Sequence, residues 1–102
     1  MEVLHTKEMK RLYQAILRLE TEKDCKLFFE DLCTVKEVRD LAQRLEVAYM
    51  LHTGKNYQEI TASTGASTAT ISRVKKCLLY GSGGYLNAAK LMAEQGENDE
   101  DQ

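Results

Sequence analysis

Tyr57-Gln-Glu-Ile-Thr-Ala-Ser-Thr-Gly-Ala-Ser-Thr-Ala-Thr-Ile-Ser-Arg-Val-Lys-Lys76 is the stretch that decides how this chain is read. Gly65 divides it into two short segments. A sharp turn between helices needs positive φ, which glycine adopts with little strain. Ile60, Ala66, Ile71 and Val74 fall where two helices joined by such a turn must pack on each other. Ser67 opens the second segment, where its hydroxyl is placed to cap the first free amides. The pattern predicts a helix-turn-helix over about residues 57–79.

In the second helix, Ile71, Val74 and Leu78 recur at spacings of three and four and make up its inward stripe. Thr68, Ala69, Ser72, Arg73 and Lys76 are then left mostly outward. Small polar residues at a helix start let the backbone approach base edges, and the basic residues that follow reach phosphate or guanine. Residues 55–79 carry four bases against one acid, Glu59, which fits that use. Thr61 stands where a small alanine is common in such motifs, and Thr64 where an apolar residue is common. A threonine there has the option of bonding back to the carbonyl one turn earlier. The competing reading is structural, with a Thr/Ser-rich turn that merely joins two core helices.

Working outward, the apolar positions Met9, Leu12, Tyr13, Ile16, Leu17 and Leu19 mark an amphipathic helix over about residues 7–19. A short polar link, Thr21 to Asp24, precedes a second helix built on Leu27, Phe28, Phe29, Leu32 and Cys33. Thr34 and Glu37 form a capping-box pattern at the start of a third helix, which runs from Val35 to about Leu51 and ends at Gly54. Beyond the helix-turn-helix, Gly81-Ser-Gly-Gly84 stops the helix before it, with glycine supplying the left-handed conformation common at helix ends. It lacks the spacing of a phosphate loop. Tyr85 to Glu94 reads as a last helix. Residues 96–102 read as a disordered acidic tail with nothing to bury.

The chain has 102 residues, no proline and 43% hydrophobic content. That suits one all-helical domain, residues 1–95, whose core is small for a lone chain. Net charge is −2, but four of the sixteen acids lie in the last six residues, and the remaining twelve face fourteen bases, so residues 1–96 carry +2. Affinity for nucleic acid would have to come from local placement of Lys and Arg. Cys25, Cys33 and Cys77 lack the Cys-x-x-Cys spacing of metal or redox sites and are expected to be buried, reduced thiols. No signal-like or membrane-spanning run is present, so a cytoplasmic location is expected. His5 and His52 have no carboxylate or thiol at catalytic spacing, and the chain reads as neither an enzyme nor a cofactor or metal protein.

The phrases Tyr57-Gln-Glu-Ile60, Thr64-Gly-Ala-Ser-Thr-Ala-Thr-Ile-Ser-Arg-Val74 and Cys77-Leu-Leu-Tyr-Gly-Ser-Gly-Gly-Tyr85 resemble the Trp-repressor-like superfamily, and within it the short YerC/YecD-type proteins. The likeness to the YerC/YecD type covers nearly the whole chain. The likeness to Trp repressor itself is clearest from Thr34 to Leu78. It implies a bacterial transcription regulator of the repressor class that binds double-stranded DNA as an intertwined all-α homodimer. It places the base-reading stretch on Thr68, Ala69, Thr70 and Ser72, with a flanking contact from Gln58. Ser67, Arg73, Lys75 and Lys76 complete the expected DNA-binding set. The alternative is a helical dimeric protein-interaction module that does not read DNA.

The resemblance also maps a candidate ligand pocket onto Thr34, Arg44, Arg73, Val74 and Cys77. Val74 stands where the tryptophan-dependent relative has the glycine over which the indole lies, and Cys77 where it has a serine. Ordinary roles are preferred for the two arginines: Arg44 as a partner for Asp40 or Glu46, and Arg73 as a DNA contact. The resemblance therefore implies a regulator that does not depend on tryptophan, with no other small-molecule effector assigned.

Overall fold

The structure, a computed structural model, describes residues 5–100, with side chains as far as residue 96. The described residues form six helices and no strand: α1 (Lys7–Leu17), α2 (Glu22–Leu32), α3 (Val35–His52), α4 (Tyr57–Thr64), α5 (Thr68–Tyr80) and α6 (Gly84–Glu100). The chain divides within α3 into two units, Met1–Val38 and Arg39–Gln102.

In the first unit each helix starts on a threonine. The Thr6 hydroxyl accepts from the Met9 amide at 3.2 Å, and the Thr21 hydroxyl accepts from the Asp24 amide at 3.0 Å. The Asp24 carboxylate in turn accepts from the Glu20 amide at 3.3 Å. Thr21 to Asp24 is thus the cap and first turn of α2, where the sequence reading expected a link. α1 stops at Leu17, short of Leu19, because the Arg18 and Leu19 amides turn back to the Ala15 and Ile16 carbonyls and close the last turn tightly.

α3 opens on the expected capping box. The Glu37 amide donates to the Thr34 hydroxyl at 3.1 Å, and the Thr34 amide donates to the Glu37 carboxylate at 2.8 Å. The bond from the Thr34 backbone, then that with its side chain, hold the Glu37 pKa below the ordinary carboxylate value. A depressed folded-state pKa means that the box is complete above the unfolded-state value, and its contribution is lost as pH falls through the folded-state value. Neither α1 nor α2 contains a buried residue. Leu17 is 81% exposed and Leu32 53%, although both helices are amphipathic.

The second unit holds the core. Val47 and Ala48 of α3, Ile60 of α4, Ala66 of the turn, and Ile71 and Val74 of α5 form one buried cluster, flanked by Met50, Leu51, Tyr57 and Tyr85. α3 ends on a left-handed Gly54 (φ 90°), with the Gly54 amide bonded to Leu51 and the Lys55 amide to Met50. This pairing satisfies two otherwise orphaned carbonyls. α4 carries a second capping box: the Glu59 amide donates to Asn56 and the Asn56 amide to Glu59, both at 2.9 Å.

Other expectations are refined or changed. In the glycine run expected to stop α5, the left-handed residue is Gly83 at φ 95°, while Gly81, directly after the helix, has φ −84°. Glycine fits position 81 because a Cβ there would strike the Cys77 carbonyl, to which the Gly81 amide donates at 2.8 Å. α6 continues past Glu94 and through Gly96 to Glu100, where a disordered tail was expected; Asp101 and Gln102 lie outside the described residues. An established helix propagates readily, so one glycine, at about 1 kcal/mol, need not end it. Gly96 also lies against α3, where a Cβ would sit 3.4 Å from the Tyr49 hydroxyl. The cysteines are free but not buried, with Cys25 and Cys33 half-exposed and Cys77 exposed.

At Gly65 the backbone has φ 74° and ψ 4°, and nothing lies within 4 Å of a Cβ placed there. Replacing it should therefore carry a purely conformational penalty. Gly65→Ala is expected to lower unfolding stability by about 1–2 kcal/mol in urea titrations, and Gly65→Asn by less, since asparagine tolerates the left-handed region. Equal losses for both would locate the penalty in sterics.

Candidate functional site

The turn between α4 and α5 is built from short-range bonds. The Gly65 amide donates to the Thr61 carbonyl at 2.9 Å. The Thr64 hydroxyl donates to the Ile60 carbonyl at 2.8 Å and accepts from the Ala66 amide at 3.1 Å. Threonine at position 64 thus replaces the usual apolar residue while satisfying both backbone groups beside the turn. Gln43 of α3 donates from its side-chain amide to the Thr64 carbonyl at 3.0 Å and ties the end of α4 to the scaffold. Thr61, the other departure from the common pattern, is exposed.

α5 begins on Ser67, whose hydroxyl accepts from the Thr70 amide and donates to the Thr70 hydroxyl, both at 3.1 Å. Ile71 and Val74 are buried and Leu78 is half-buried, as their spacing predicts. Thr68, Ala69, Ser72, Arg73, Lys75 and Lys76 are exposed together, and Gln58 is exposed on α4. Thr70 is half-buried, so it presents less of itself outward than Thr68 or Ser72. Tyr57, Gln58, Thr61 and Ala62 of α4, with Thr68 of α5, line an open, mainly apolar depression of about 370 Å³.

Tyr57 is the residue that sequence reasoning passed over. Its hydroxyl lies 3.1 Å from the Ser72 hydroxyl, and the Lys75 ammonium lies 5.8 Å from its ring centroid. The first turn of α4 therefore holds two side chains of the exposed face of α5. No local spacing rule links positions fifteen residues apart. The available signal was an aromatic residue with a polar tip beside a helix of small polar residues.

Val74, from the candidate ligand pocket, is 1% exposed and belongs to the core cluster. Arg44 is half-buried, and Arg73 and Cys77 are exposed. Thr34 belongs to the first unit, where its hydroxyl serves the capping box of α3.

Comparison with known proteins bears on this arrangement. Residues 7–93 match the family model described as Trp repressor protein. The uncharacterized protein YerC of Bacillus subtilis (strain 168) is 55% identical over 82 residues, 80% of this chain and 79% of YerC. The crystal structure of a TrpR-like protein from Eubacterium eligens superposes with a TM-score of 0.87 at 44% identity, covering 91% of this chain and 96% of that one. A crystal structure from Staphylococcus aureus gives 0.85 at 46% identity, covering 90% and 92%. With a left-handed glycine turn before a capped, outward-polar helix, and matched over residues 7–93, the chain belongs to the Trp repressor protein family, with YerC among its homologues.

Proposed function

We propose that this chain is a double-stranded-DNA-binding transcription regulator that works as a homodimer and reads the major groove with the start of α5. The observation that carries this reading is the division of α5 into a buried stripe, Ile71 and Val74, and one exposed face bearing Thr68, Ala69, Ser72, Arg73, Lys75 and Lys76. The family supports it, since residues 7–93 match the family model described as Trp repressor protein. In this reading Thr68, Ala69, Thr70 and Ser72 meet base edges. Arg73, Lys75, Lys76, Gln58 and the Ser67 end of the helix meet phosphate or guanine. Arg73→Ala and Lys76→Ala should each lower the slope of log affinity against log salt by up to about one unit. Thr68→Ala should instead change sequence preference. Gel shifts across a salt series, with random and selected duplexes, measure both. Unchanged binding in all three variants would favour the protein-interaction alternative.

Homodimerisation rests on α1, α2 and the first part of α3. Leu12, Ile16, Leu17, Phe28, Phe29, Leu41 and Leu45 offer more apolar surface than one chain of this length covers, and none of them is buried. Burying a large aliphatic side chain contributes about 1.5–3 kcal/mol, so several left in water favour association. A two-fold dimer would present its two α5 helices to half-sites about 34–36 Å apart. Sedimentation equilibrium at micromolar concentration should report twice the 11.6 kDa of one chain. A stable species of 11.6 kDa would remove the dimer from the proposal.

Tryptophan is not the switch. Val74 fills the place that the glycine of the tryptophan-dependent relative leaves for an indole, and its isopropyl group is buried against α4 and α3. Burial worth about 1.5–3 kcal/mol holds α5 in place without a ligand. A DNA-competent arrangement is then populated without any small molecule. Calorimetric titration with L-tryptophan should show no saturable binding below about 1 mM, and operator affinity should change by less than tenfold, about 1.4 kcal/mol of coupling. Saturable binding, or a larger gain, would assign a ligand pocket to Arg44, Arg73 and Cys77 after all.

A further inference from the structure

We infer that Tyr57 is a positioning residue for sequence reading: it orients the Ser72 hydroxyl so that this serine presents a hydrogen-bond donor to an acceptor edge in the major groove. The inference rests on the DNA-reading function proposed above. A serine hydroxyl rotates freely and has one donor and two acceptor sites, so an unbraced serine accommodates either kind of base edge. Ser72 is braced, because the Tyr57 hydroxyl stands 3.1 Å from it. A phenolic O–H is a stronger hydrogen-bond donor than an aliphatic one, because its ring draws charge from the oxygen. The favoured arrangement therefore has Tyr57 donate and Ser72 accept, which turns the serine's own proton away from Tyr57 and toward the exposed face.

Lys75 strengthens the bias. Its ammonium lies 5.8 Å from the Tyr57 ring centroid, within range of a cation–π interaction. A cation over the ring makes the phenol a better donor. It also places positive charge one helical turn from Ser72, which favours acceptor atoms nearby. Such an edge selects guanine N7 and O6, thymine O4 or adenine N7, and discriminates against the amino groups of cytosine and adenine. Tyr57 is itself half-buried against the core cluster, so the brace is anchored to the packing that fixes α4.

The test uses the full-length protein and three variants, Tyr57→Phe, Ser72→Ala and the double substitution. Each is put through selection from a random duplex pool, then through affinity measurements on the selected site with every base pair changed in turn at one salt concentration. Tyr57→Phe keeps the ring, and with it the core packing and the contact with Lys75. The wild type should favour an acceptor at one base pair of each half-site. Both single variants should lose about three- to tenfold of the discrimination at that base pair, and the double variant no more than Ser72→Ala alone. The salt slope of Tyr57→Phe should equal that of the wild type. The inference is overturned if Tyr57→Phe keeps the wild-type preference where Ser72→Ala loses it. It is also overturned if Ser72→Ala changes no preference, or if Tyr57→Phe weakens binding to all sequences alike, as a purely structural role would. A wild type that enriches no sequence overturns the DNA-reading function itself, an outcome distinct from a wild type and a Tyr57→Phe variant that select the same site.

Discussion

The burial of Ile60, Ile71 and Val74 against Val47 and Ala48 is the constraint on which this molecule depends. Among the described residues these five, with Ala66 and Ala89, are the whole of the buried apolar set. Six of the seven form one cluster, so α4, the turn and α5 are held to the second half of α3 by a single small nucleus. Ala66, directly after the left-handed Gly65, is 2% exposed and belongs to that nucleus. A core this small is at the low end of what a chain of this length normally buries, which is why the uncovered apolar residues of α1 and α2 matter to any account of its stability.

Much of the helix-turn-helix was legible in the sequence because its bonds span three or four residues. The Thr34 and Glu37 box, the left-handed turn at Gly65, the Ser67 cap and the Ile71/Val74 stripe are each written within one helical turn. α2 was read as starting late for the opposite reason. Its first turn is polar, and apolar periodicity is silent there, although Thr21 and Asp24 carried a capping signal. The end of α6 was misread because residues 96–102 were taken as an acidic tail with nothing to bury, whereas the helix runs on through Gly96, which is not among the left-handed glycines Gly54, Gly65 and Gly83. The run Gly81–Gly84 was read as a stop with a left-handed glycine, which is Gly83, but the carbonyl of Cys77 that excludes a Cβ at Gly81 is something no pattern of residues reveals.

Contacts between distant positions lay beyond sequence reading. Gln43 reaches the Thr64 carbonyl across twenty-one residues, and Tyr57 reaches Ser72 across fifteen. Both place a polar group of one helix on a polar group of another. Hydrophobic patterning cannot indicate such pairs, because it reports which face is inward and not which polar atoms meet. Thr64 illustrates the same limit. As a departure from the apolar norm it weakens the motif on paper, yet in space its hydroxyl satisfies the Ile60 carbonyl and the Ala66 amide.

The weak charge of the chain explains why these polar pairs carry weight in the proposed function. A strongly cationic protein gains affinity from the whole phosphate field, whatever the detail of its reading face. This chain has a net charge of −2, so it cannot lean on such a field. Its discrimination must come from side chains already near the arrangement they need, because ordering a flexible side chain on binding costs about 0.5–1.5 kcal/mol each. Ser67 with Thr70, Tyr57 with Ser72, and Tyr57 with Lys75 are three such pre-ordered pairs on or beside the exposed face of α5. The ordering is met once, during folding, and is anchored through Tyr57 to the same nucleus. In the proposed function, folding and reading thus draw on one set of contacts, and a substitution that loosens the nucleus at Ile60 or Val74 would disturb the exposed face of α5 as well.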